Sequence, residues 1–180
     1  MHPVLQQTYA ALSRELEGLD VSVTQAHPHG DVSLWSVRQV IEHLLATYAT
    51  CTASLDGRLA KGRPLESPLS FRLRFWQWVI IDMGYFPPGR KAPERVRPGV
   101  VTLAAQDGAG LAQNVRAALT KLDTALDRVQ AVYPSRPVVT HIDLGPLTVC
   151  QWRKFHRVHA RHHAKQLVRV KAATASGSSQ

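Results

Sequence analysis

Cysteine is nearly absent from this sequence: only Cys51 and Cys150 occur, far apart along the chain. Two such residues make neither a disulfide framework nor a cysteine-based zinc site. Long apolar runs are missing too. The longest, Phe75 to Ile81, contains Gln77 and is stopped by Asp82 and Gly84, well short of the roughly 20 apolar residues a membrane span needs. The opening stretch MHPVLQQTYAALSREL has no basic start and no extended apolar segment, so no secretory signal is read and a cytoplasmic location is expected. Acidic residues are in short supply: 13 Asp and Glu stand against 22 Lys and Arg, for a formal charge of +9. That balance favours anionic partners, whether nucleic acid, an acidic lipid surface or a small anion, and says nothing about fold.

What is present is a helical pattern. With 180 residues, 44% of them hydrophobic, the chain suits one domain with a proper core. That domain is expected to span 1–173, with TASGSSQ, 174–180, as a disordered tail. A first helix is expected from Pro3 to Leu19, because Leu5, Tyr9, Leu12, Leu16 and Leu19 form one stripe. The region 20–30, with Pro28 and Gly30, reads as a loop. A second helix starts at Ser36, whose hydroxyl and Gln39 make a capping box, and carries Val37, Ile41, Leu44, Tyr48, Cys51 and Leu55 on one face. Leu69 to Met83 reads as a short buried helix, although its aromatic and β-branched content would also suit a strand. A basic, proline-rich loop follows, with Arg90, Lys91, Arg95 and Arg97. Another helix is expected over 106–129, striped by Leu111, Val115, Ala118, Leu122, Leu126 and Val129. Residues 133–146 read as a connector, and a final helix starts at Thr148 with Gln151 as its capping partner. Four long amphipathic helices and one short one imply an all-α bundle.

The last helix carries the chemistry. At 3.6 residues per turn, Trp152, His156, His159, His163, Gln166, Leu167 and Val170 share a face, while Arg153, Arg157, Arg161 and Lys165 lie opposite. The histidines are therefore on the side that should be core. A buried, unpaired polar group costs on the order of 1–3 kcal/mol, and a metal ion is a common partner that satisfies several imidazoles at once. His159 and His163 are four apart, so their side chains meet on adjacent turns. The third ligand must come from another helix, and His43 is the only histidine within one. It sits on the flank of that helix's stripe. Gln166, His162, His156 and His141 are candidates for the surrounding shell. His141 would reach the pocket from the connector, whereas His2, His27 and His29 read as loop residues. Glu42, beside His43, reads as solvent-facing.

Two motifs resemble the DinB/YfiT-like superfamily of metal-binding four-helix bundles. One is Trp35-Ser36 followed by His43 in WSVRQVIEHLLATY. The other is His159, His163 and Gln166 in HRVHARHHAKQL, led by GPLTVCQW, which is closest to an uncharacterised subfamily with a paired His-His. The resemblance covers the second and last helices; the others agree only in length and pattern. It implies an up-down-down-up bundle, one metal on His43, His159 and His163, and frequent dimers. Some members of that family are thiol-dependent transferases or isomerases. Lys165 stands where a glycine often precedes the final glutamine.

The expected function is then that of a metalloprotein with one divalent ion, zinc first and nickel or iron as alternatives. A low-molecular-weight thiol is the expected small-molecule substrate of an S-transferase, because a metal lowers the pKa of a bound thiol. A metal-activated water would instead give a hydrolase. A non-enzymatic, stress-associated or nucleic-acid-binding module using the basic stripe and loop is the remaining class, though no recognised DNA-binding motif is present.

Overall fold

The computed structural model describes residues 1–87, 89 and 91–177, and it is mostly helical. The helices are α1 (Pro3–Leu16), α2 (Val21–Gln25), α3 (Val37–Ala60), α4 (Phe71–Gln77), α5 (Gly108–Val132) and α6 (Val149–Gly177). A hairpin of β1 (Val139–His141) and β2 (Gly145–Leu147) completes the regular elements, paired antiparallel with Val139 opposite Leu147. Arg90, assigned to the basic loop from sequence, lies outside the described residues, as do residues 178–180 of the expected tail.

Local chemistry sets the helix starts. The Ser36 hydroxyl accepts from the Gln39 N–H, while Gln39 Oε1 accepts from the Ser36 N–H at 3.0 Å. The same reciprocal pair joins Thr148 and Gln151 at the head of α6. Each such cap satisfies two N–H groups that a helix end otherwise leaves without a partner. Asp107 caps α5 through the Gly110 N–H.

Five expectations need correction. The first helix ends at Leu16, not Leu19, because Gly18 adopts φ 71° and turns the chain. The region read as a loop contains α2, capped by Asp20, and a 3-10 turn at Pro28–Gly30. The connector contains the hairpin, with Gly145 at φ 70° opening its return strand. The short helix is α4 continued by a π-helical turn over Trp78–Asp82, and only part of it is buried: Phe71, Phe75 and Trp78 face solvent. The last helix also runs on through Gly177, into the segment read as tail.

Among the long helices, α1 packs against α5 and α6, and α3 against α5 and α6. The expected stripes meet between them. Leu5, Leu12 and Leu16 of α1, Ile41, Leu44, Tyr48 and Leu55 of α3, and Leu111, Val115, Leu122 and Leu126 of α5 are fully buried. Each buried leucine or isoleucine contributes about 1.5–3 kcal/mol relative to exposure. Where α5 begins, the Gly108 N–H donates to the Leu19 carbonyl at 2.8 Å. A Cβ on Gly108 would lie 1.8 Å from the Leu16 carbonyl oxygen, so only glycine lets the two segments approach there.

The basic stripe of α6 is not uniformly solvated. Arg153 is buried and pairs with Asp123 at 3.2 Å and with Asp127. A charge here is retained because a carboxylate on α5 meets it; unpaired, it would carry a desolvation cost of several kcal/mol. Among the described residues no helix is long and apolar enough to cross a membrane.

Candidate metal centre

The expected ligands converge. His43 from α3 and His159 and His163 from α6 are 4–6% exposed, and their ligand atoms all lie within 4.8 Å of one another. His159 Nε2 is 3.0 Å from His163 Nε2 and 3.4 Å from His43 Nε2. Two nitrogens on one tetrahedral ion, each about 2.0–2.1 Å from it, stand about 3.3–3.4 Å apart. Two of the three spacings lie near that value and the third is within 4.8 Å, so a shared cation would draw the His43 and His163 rings together.

The other ring nitrogens argue the same way. His43 Nδ1 lies 2.7 Å from the Val96 carbonyl oxygen, which only accepts, so Nδ1 carries the hydrogen and Nε2 a lone pair. His163 Nδ1 donates to Gln166 Oε1 at 2.8 Å, which again leaves a lone pair on Nε2. Two lone pairs are thus aimed at His159 Nε2 among buried rings. Outer hydrogen bonds of this kind orient metal-binding imidazoles and raise their basicity. His159 Nδ1 is buried with no hydrogen-bond partner. Its ring is held instead by stacking on Phe155, at 5.4 Å and 13° between planes, and by Phe86.

Burial keeps the imidazoles neutral. It is the main cause that lowers His163 to about 3, with the nearby His43 adding to it and the Gln166 hydrogen bond opposing. His159 is pushed well below the ordinary value by burial first and then by His163 and His43. His43 is lowered by burial, partly offset by its bond to Val96. Neutral imidazole is the form that binds metal.

The surrounding-shell candidates separate. Gln166 touches His163 directly. His162 is half-buried beside Phe86 and His163 on the cavity rim, outside the ligand cluster. His156 is fully buried, stacked on Trp152 and edge-on to Tyr48, and neither of its ring nitrogens has a hydrogen-bond partner. His141 sits on the cavity wall against Phe155, its Nδ1 accepting from the Asp143 and Leu144 N–H groups. Glu42 is buried rather than solvent-facing. It accepts from the Leu103 N–H and pairs with Arg38, which ties down the segment after the basic loop and leaves it no role as a base at the site.

The site opens into a cavity of about 930 Å³, with the histidines, Trp35, Phe86 and Phe155 in its lining. Lys91, Arg95 and Arg97 of the basic loop line it too. The loop's contribution to the centre itself, the Val96 carbonyl, had no signal in the sequence, because any residue type offers a carbonyl. Cys51 also lines the cavity, but burial pushes its thiol pKa up, so it stays protonated. No family model, no curated protein and no solved structure matches this chain.

Proposed function

We propose that this chain is a metal-dependent enzyme of the DinB/YfiT-like kind. In this reading α1, α3, α5 and α6 form an up-down-down-up four-helix bundle, and His43, His159 and His163 hold one divalent ion, zinc first and nickel or iron as alternatives. The cavity takes a low-molecular-weight thiol for transfer to a second substrate, and the protein assembles as a homodimer. The observation that carries the reading is the meeting of three buried, neutral imidazoles beside an open cavity. Structural zinc sites close with four protein ligands; three leave a position for substrate.

A divalent ion held there supplies Lewis acidity, which lowers the pKa of a bound thiol or water. The chain does the rest. The Val96 carbonyl and Gln166 fix the rings of His43 and His163, and Phe155 and Phe86 hold His159 between them. Metal-activated water usually works with a general base. Glu42 is engaged elsewhere, and among the described residues Asp143 is the one carboxylate lining the cavity. Among the described residues no carboxylate hydrogen-bonds any of the three histidines, so hydrolysis stands second to thiol transfer, which needs no such base once the thiol has ionised. The nucleic-acid reading loses Arg153 to its buried ion pairs.

Elemental analysis of the purified protein, run with a thiol-transfer screen, tests the assignment. A panel of small thiols is offered with the electrophile 1-chloro-2,4-dinitrobenzene. Near-stoichiometric metal, with transfer that disappears in His159→Ala, is the expected result. Bound metal with ester hydrolysis and no transfer from any thiol would move the assignment to a hydrolase. Protein that binds no divalent metal would remove the whole reading.

A further inference from the structure

We infer that the cavity beside the three histidines is built for an amphipathic organic anion, with a ring-sized apolar body seated among aromatic side chains and a carboxylate, phosphate or sulfonate group at a basic mouth. This rests on the metal-centre reading for what lies at the cavity floor; the recognition chemistry stands on separate observations.

The first is the contrast between floor and mouth. The histidines and Phe155 are buried, and with Trp35, Phe86, Trp152 and Val139 they make an aromatic and aliphatic interior. Lys91, Arg95, Arg97 and Arg169 line the same cavity and are exposed. A volume of about 930 Å³ falls at the upper end of the roughly 300–1,000 Å³ of pockets that enclose organic ligands.

The second is where the acids went. Arg153 pairs with Asp123, Arg38 with Glu42, Arg128 with Asp56, Lys154 with Asp82 and Lys171 with Glu15. Among the described residues none of Lys91, Arg95, Arg97 and Arg169 has a carboxylate within ion-pair distance, although Glu94 is their neighbour in sequence. Among the described residues the cavity wall sets four cations against one carboxylate, Asp143. A concave, low-dielectric wall bearing one sign of charge focuses its field on the mouth and concentrates ions of the opposite sign there. A neutral or cationic ligand would leave that field unanswered, and a small inorganic anion would leave the aromatic interior in water.

Calorimetric titration with 2-naphthalenesulfonate and its uncharged isostere methyl 2-naphthyl sulfone separates the two components. It is run on metal-free and zinc-loaded protein. At low salt the sulfonate should bind at least about tenfold more tightly than the sulfone, a preference that shrinks as ionic strength rises. In Arg95→Gln/Arg97→Gln/Arg169→Gln the preference should fall below about twofold with sulfone binding unchanged, whereas Phe86→Ala should weaken both probes. Equal affinity for the two probes, or a sulfonate preference that survives the triple substitution, overturns the inference. Zinc content is measured on the same samples. Protein that binds no zinc yet keeps the sulfonate preference refutes the metal reading and supports this one.

Discussion

Replacing His159 with alanine removes the central nitrogen of the cluster, the one placed 3.0 Å and 3.4 Å from the other two. What remains is His43 and His163, a two-ligand site on separate helices with no third donor to draw them together. Loss of an outer hydrogen bond alone typically costs a metal site 10–100-fold in affinity, and loss of a direct ligand should cost more. Zinc content after dialysis, near one per chain in the parent, should fall below about a tenth. The same perturbation has a stability signature. Metal at about 100 times its dissociation constant stabilises the folded state by about 2.7 kcal/mol. For a chain of this length each kcal/mol moves Tm by about 2–4 °C, so zinc should raise the parent's Tm by roughly 5–11 °C. His159→Ala should show almost none of that rise. Comparing each protein with and without zinc cancels the packing change caused by losing a buried ring, and circular dichroism confirms that the variant is folded. His29→Ala, outside the cluster, should keep both the metal and the shift. If His159→Ala retains stoichiometric zinc and the full shift, the geometric reasoning is wrong.

Metal-free protein should lose stability as pH falls below about 6.5: burial holds His156 near 3, so the unfolded chain binds its proton first, and His156 alone contributes a loss of about 1.4 kcal/mol per pH unit down to pH 3. Urea midpoints measured between pH 7 and 5 should therefore fall less steeply in His156→Leu than in the parent. Zinc should be released only below the ordinary imidazole value of about 6.5, because burial lowers His43, His159 and His163 alike; equilibrium dialysis across pH reads the release point, and release centred at about 6.5 would contradict the burial argument. Gln166→Ala should weaken zinc about 10–100-fold while leaving the thermal stability of metal-free protein nearly unchanged, as competition with a chelating dye would report. Gly108→Ala should lower Tm by roughly 6–12 °C, a cost of about 3 kcal/mol from overpacking, since its Cβ would stand 1.8 Å from the Leu16 carbonyl; an unchanged melting curve would mean that this approach relaxes freely.

The helical class, the two capping boxes and the three histidines are legible along the chain. Those features are local or periodic: Ser36 with Gln39 and Thr148 with Gln151 are read three residues apart, and the spacing of His159 and His163 puts them on one face whatever that face meets. The periodicity of α3 placed His43 only on a flank, and it took the packing of α3 against α6 to bring its Nε2 within 3.4 Å of His159. The rest came from packing between distant segments. The Val96 carbonyl reaches His43 because the basic loop folds back over α3, a contact between residues 43 and 96 that no local pattern encodes. Arg153 leaves the solvated stripe because Asp123 on α5 meets it, and Glu42 leaves solvent for the Leu103 N–H. Charged residues carry the same letter whether exposed or paired in the interior, so periodicity assigns them to water by default; only the neighbour that arrives from a distant part of the chain decides otherwise.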